Sequence, residues 1–157
     1  MKATLAERKA ALIAPLPPFT RDPELRQISR VLFTQRDALG LAQTIILTAR
    51  SGFIAKNRAA AVDFLEDELV FLRWLTDPAN HKDAVALAAS FNKVPPDRLD
   101  WAFTHDDSYR DPAGLPAVAA LQSNLDTLRD LGIVKEKIEA GKYLDLSLVK
   151  EAALRLH

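Results

Sequence analysis

Cysteine is absent from the 157 residues, which removes disulfides, thiolate metal sites and cysteine nucleophiles together while leaving the compartment open. Glycine is scarce, five in all, and never spaced as a dinucleotide fingerprint or a P-loop, so a glycine-rich phosphate cradle is close to excluded. There is no G-x-S-x-G nucleophile elbow either. Charge of one sign is not in excess: Lys plus Arg and Asp plus Glu both number 21, so nothing points to nucleic acid or to a disordered acidic chain. No run of about 20 apolar residues exists to cross a membrane. A secretory signal is also missing as written, because Glu7, Arg8 and Lys9 interrupt the place where an apolar stretch of about 7–15 residues should lie. On that reading the chain would stay in the cytoplasm.

What is present is an ordinary globular balance, 48% hydrophobic and 27% charged, in a length that fits one domain with a real core. The strongest stretch is Ser51–Leu75, with one of the two tryptophans. Asn57 reads as an N-cap, and nothing breaks the helix until Thr76-Asp77-Pro78. Its apolar members, Ala61, Val62, Phe64, Leu65, Leu69, Phe71, Leu72, Trp74 and Leu75, cover far more than the roughly 100° stripe of a surface helix, so burial from two directions is expected. Ala3–Ala14 reads as a short amphipathic helix ended by the prolines of 15–18. Asp22-Pro23 opens another, Asp as cap and Pro at the first position.

Arg30–Thr34 reads as a short strand, and Gln43–Arg50 as the best strand in the chain, with Ile45-Ile46-Leu47 unalternated as if buried on both faces. Two strands do not make a stable sheet, so the chain reads as expecting partner strands. A turn is expected at Asp37-Ala38-Leu39-Gly40. Helices are expected again from Asp77-Pro78 to about Phe91, with Val85, Ala88, Ala89 and Phe91 inward, over Arg98–Phe103, from Pro116 with the stripe Val118, Leu121, Leu125 and Leu128, and from Ser147 as N-cap to the end. Gly132 is placed as a C′ glycine.

No catalytic constellation emerges. The three histidines are scattered without metal-ligand spacing. Asp106-Asp107 beside His105 is compatible with a cation site or an acid/base pair, but a solvated loop is preferred, since neighbouring side chains diverge in direction. Two features remain as ligand-site candidates beside a purely structural reading. Pro17-Pro18-Phe19 is a rigid turn presenting a ring. Thr48 and Arg50 end the Gln43–Arg50 strand on one side, where a guanidinium can meet an anion in bidentate fashion.

The order of segments resembles one family. It runs Asp22-Pro23-Glu24-Leu25, Val31-Leu32-Phe33-Thr34, a strand leading into Phe53-Ile54-Ala55-Lys56-Asn57, and a long helix ending Trp74-Leu75-Thr76-Asp77-Pro78-Ala79-Asn80. Then come Tyr109-Arg110-Asp111-Pro112-Ala113-Gly114-Leu115-Pro116, a helix through Gly132, and Tyr143-Leu144-Asp145-Leu146-Ser147-Leu148-Val149-Lys150-Glu151-Ala152. From about Pro17 to the end, the chain resembles the C-terminal half of substrate-binding proteins of ABC importers of the nitrate/sulfonate/taurine type.

The resemblance implies a type II periplasmic-binding-protein fold, α/β by family and mainly α here, with two or three short strands and about six helices. Residues 1–157 would be a single partial domain, 1–20 a remnant of the second lobe and hinge and 21–157 the C-terminal part of the first lobe. It implies a periplasmic solute-binding component without cofactor, working with a transporter permease and catalysing no reaction. Pro17, Pro18, Phe19, Thr48 and Arg50 would lie near the ligand. The family's N-terminal half has no counterpart here, and Ala11-Leu12-Ile13-Ala14-Pro15 replaces a strand bearing Gly and Asp. A truncated form with impaired binding, self-associating through an exposed strand edge, is therefore expected. The competing expectation is a helical protein–protein interaction module without a small-molecule ligand.

Overall fold

The computed structural model describes every residue except Met1, Pro18, Thr44, His105, Asp106, Ser108, Tyr109 and His157. Eight α-helices occur among the described residues: α1 (Lys2–Ala6), α2 (Pro23–Ile28), α3 (Gln35–Leu39), α4 (Ser51–Lys56), α5 (Arg58–Thr76), α6 (His81–Asn92), α7 (Val118–Asp130) and α8 (Ser147–Arg155). Short 3₁₀ turns lie at Phe19–Arg21, Pro78–Asn80, Pro96–Arg98 and Ala140–Tyr143. The chain divides into two compact units, residues 1–34 with 78–107, and residues 35–77 with 108–157. None of the helices is long and apolar enough to cross a membrane.

The expected α/β lobe is not what forms: 59% of the described residues are helical, and they contain neither strand nor sheet. Arg30–Thr34 is irregular and exposed, and it runs into α3, where a turn was expected. Ile45–Arg50 is irregular too, with Ile45 82% and Leu47 71% exposed; Thr44, the start of that strand's apolar stretch, lies outside the described residues. A strand is held by a ladder to its neighbour, and β-propensity alone measures fit to a pleated surface that here is missing. The segment is fixed instead by Gln43. Its side-chain oxygen accepts from Ala117 N–H (2.9 Å), its amide donates to the Ile45 carbonyl (2.7 Å), and its own carbonyl accepts from Asn124 Nδ2 (2.9 Å). With no strand formed, the strand edge expected to drive self-association does not exist among the described residues.

The second unit is built on α5 against α8. Val62, Leu69, Leu148, Val149 and Ala152 make its core, with Ile54, Leu65, Leu115, Ala153 and Leu156 packed at the margin. Val62 and Leu69 are seven apart on α5, and Leu148 and Ala152 four apart on α8, so each helix lays one stripe into the contact. Charges border this seam. Arg155 Nη1 reaches Asp63 at 2.7 Å and Glu66 at 3.6 Å, while Glu151 joins Arg155 (3.3 Å) and Arg58 (2.7 Å). The two-sided burial expected of α5 is not found: only Val62 and Leu69 are buried, and Phe64, Val70 and Phe71 face solvent. Counting apolar residues around a helix shows what it can bury, not what neighbours are there to bury it.

Helix ends follow local chemistry, with two corrections. Asp22 caps α2 by accepting from Glu24 N–H (2.9 Å), with Pro23 at the first position as expected. Gly132 takes φ +73° after α7; it donates to the Arg129 carbonyl while Ile133 N–H reaches Leu128, a Schellman closure. Asn57 does not cap α5 with its side chain. It closes α4, donating Nδ2 to the Phe53 carbonyl at 3.0 Å. Nor is Ser147 the cap of α8: Asp145 accepts from both the Ser147 hydroxyl (2.6 Å) and its backbone N–H (3.0 Å). Those two bonds, the hydroxyl's first, hold the Asp145 carboxyl below its ordinary value.

In the first unit, Val85 and Ala89 of α6 pack with Leu99 and Ala102. Phe91, expected inward, is 86% exposed. The expected Arg98–Phe103 helix is the Pro96–Arg98 turn followed by further turns, and α1 stops at Ala6, well short of the expected Ala14.

Candidate functional site

The residues the sequence singles out fall in two different units. Pro17 precedes the turn Phe19–Arg21 in the first unit, where Phe19 is exposed; Pro18 lies outside the described residues. Thr48 and Arg50 belong to the second unit and share its exposed Ile45–Arg50 segment. The Arg50 backbone is structural, since its carbonyl accepts from Phe53 (2.9 Å) and Ile54 (3.1 Å) and so starts α4. Its guanidinium has no carboxylate partner among the described residues.

Of the polar loop His105-Asp106-Asp107, only Asp107 is described. Its carboxylate accepts from the Phe103 N–H at 2.9 Å. Phe103 has φ +63°, a conformation costly for a side-chain-bearing residue, so this bond helps fix a strained turn. Among the described residues no group of three His, Asp or Glu side chains is arranged to hold a metal ion.

Two surface hollows of about 330 Å³ each stand out, one per unit. The hollow of the second unit is apolar, formed where Leu39 of α3 approaches Thr127 and Leu128 of α7 and the following Leu131. The hollow of the first unit is basic. The Phe19–Arg21 turn contributes Arg21, α2 contributes Pro23 and Arg26, and the stretch after Pro95-Pro96 contributes Asp97, Arg98 and Trp101. The Arg21 guanidinium carbon lies 5.1 Å from the centre of the Trp101 ring, a cation–π distance, and Trp101 Nε1 donates to the Arg98 carbonyl at 3.0 Å.

Sequence reasoning missed this second arrangement because its members are more than 70 residues apart. The local signals were present: Arg21 and Arg26 flank the Asp22-Pro23 helix start, and Arg98 precedes Trp101 by three residues, the spacing of one tight turn. No family model matches the chain, and comparison with curated proteins and with solved structures finds no match either.

Proposed function

We propose that the chain is a solute-recognition component of an ABC importer of the nitrate/sulfonate/taurine type, catalysing no reaction and docking to a transporter permease. The observation that carries this reading is where the segments bearing the resemblance go. Phe53–Asn57 supplies Ile54, the long helix supplies Val62 and Leu69, Arg110–Pro116 supplies Leu115, and Tyr143–Ala152 supplies Leu148, Val149 and Ala152; all meet in one core. Segments far apart in sequence, alike in carrying the resemblance, thus form a single packed set.

Thr48 and Arg50 of the second unit are assigned to solute contact, with the Arg50 guanidinium as the anion-binding group. Thermal-shift and equilibrium-dialysis titrations against taurine, alkanesulfonates, nitrate and pyrimidine precursors test it. A saturable response that Arg50→Ala abolishes is expected. Flat responses to all of them, to tens of millimolar, would refute the reading.

A second reading, a helical protein–protein interaction module without a small ligand, is favoured by one observation. Val31, Leu32, Phe33, Ile45 and Leu47 are all exposed on irregular backbone. An oligomer by size-exclusion chromatography with light scattering, silent to every solute and dispersed by Ile45→Lys with Leu47→Lys, selects this reading.

A further inference from the structure

Among the described residues, the basic hollow of the first unit is lined by three guanidinium groups, Arg21, Arg26 and Arg98, and one carboxylate, Asp97. The other acids close by in sequence are engaged elsewhere. Asp22 accepts from Glu24 N–H, Glu24 pairs with Lys2, and Asp100 faces His81 at 3.5 Å. Among the described residues the Arg26 side chain donates to the Thr20 carbonyl at 3.4 Å, and neither it nor the Arg98 side chain has a carboxylate partner there. Trp101 is held as a wall by its bond to the Arg98 carbonyl, with Arg21 against its ring.

Guanidinium groups repel when gathered, and a planar fork of N–H donors matches the oxygens of a sulfonate or phosphate better than it matches water. An oxyanion in the hollow would offset the excess positive charge and use the donors of Arg26 and Arg98 that carboxylates do not occupy. From this geometry we propose that the hollow binds a tetrahedral oxyanion, a phosphate monoester or a sulfonate, gripped by Arg26 and Arg98 beside the Arg21–Trp101 pair. It shares no residue with the solute site assigned above and does not depend on the importer reading.

The test uses the full chain carrying Trp74→Phe, so that Trp101 alone reports by fluorescence. Inorganic phosphate, methyl phosphate and methanesulfonate are titrated against sodium chloride of matched ionic strength. A saturable change is expected for a tetrahedral oxyanion and not for chloride. Arg26→Gln and Arg98→Gln, both exposed and outside the core, are each expected to weaken it about tenfold, and Arg36→Gln, exposed in the second unit, to leave it unchanged. A response to phosphates alone assigns the site to phosphate esters, and a response to methanesulfonate alone assigns it to sulfonates. A response equal to that of chloride, or one surviving in the Arg26→Gln/Arg98→Gln double variant with circular dichroism intact, overturns the proposal. A saturable Trp101 signal beside a flat solute screen would sink the importer reading and leave this one standing.

Discussion

Gly114→Ala is the sharpest test of the α5–α8 core, because two separate penalties meet at one atom. Gly114 has φ +67°, where a Cβ costs about 1–2 kcal/mol, partly offset by the lower chain entropy of alanine in the unfolded state, about 0.4–1 kcal/mol. The new Cβ would also lie 2.7 Å from Leu69 Cδ2 and 3.4 Å from Val149 Cγ2, so a side chain must move. Leu69 is 2% exposed and has no open space to turn into; forcing it off its rotamer or overpacking the site adds about 1–3 kcal/mol. The total is about 2–4 kcal/mol, or about 4–16 °C in Tm at 2–4 °C per kcal/mol for a chain of this length.

Gly132→Ala isolates the first penalty, since Gly132 has φ +73° with nothing within 4 Å of its Cβ position, and should cost about 1 kcal/mol or less. Urea unfolding followed by far-UV circular dichroism measures both. A double-mutant cycle with Leu69→Ala adds the decisive comparison: once the leucine is shortened, Gly114→Ala should cost no more than Gly132→Ala. Equal costs for the two glycine variants in the parent chain, or additive effects in the cycle, would refute the packing described for Gly114.

Val62→Ala, at a fully buried position, should destabilise by about 2 kcal/mol, whereas Phe91→Ala, at a site 86% exposed, should stay within about 0.5 kcal/mol despite the larger deletion; urea midpoints decide. Gln43→Ala should cost about 1–2 kcal/mol and speed hydrogen exchange at the Ala117 amide, which loses its acceptor; unchanged exchange would show that the anchor is idle. Asp145 has a folded-state pKa below its ordinary value, so its contribution is fully present above that value, near pH 4, and is lost as the pH falls through the depressed one. Asp145→Asn should therefore flatten part of the acid limb of a stability–pH curve measured between pH 5 and about pH 2, and an unchanged limb would count against the capping role.

The parts of this fold that were legible in the sequence are those decided within one turn of chain. Asp22-Pro23 specifies a helix start because cap and ring act on the next few residues alone, and Gly132 specifies a stop because only its own φ is at issue. The helix expected from Pro116 forms as α7, although it begins at Val118 and its one buried residue is Ala120, outside the expected stripe, with Leu128 exposed. What failed depended on neighbours. Ile45-Ile46-Leu47 carries every local mark of a buried strand, yet burial is a relation between segments, and nothing in those three residues names a partner. Capping misled where two donors or acceptors compete: Asn57 sits between α4 and α5 and serves the first, and Asp145 outreaches Ser147 because its carboxylate takes both the hydroxyl and the amide. The Arg21–Arg26–Arg98 hollow was illegible for the same reason as the missing sheet, since it exists only once residues 21–26 meet residues 97–101.

The two irregular apolar segments, Val31–Phe33 and Ile45–Leu47, bear on both readings of function through one physical fact. Exposed apolar area weakens a monomer relative to any state that covers it, at about 25 cal/mol for each Å² removed from water. A partner that covers these segments therefore gains from apolar burial. The importer reading and the interaction-module reading differ over whether a solute is also bound, not over whether these residues are satisfied as they stand. Measuring solute response and oligomeric state on the same sample is thus more informative than either alone, and replacing Ile45 and Leu47 by lysine separates them: association should fall, while any solute affinity lodged in Arg50 should survive.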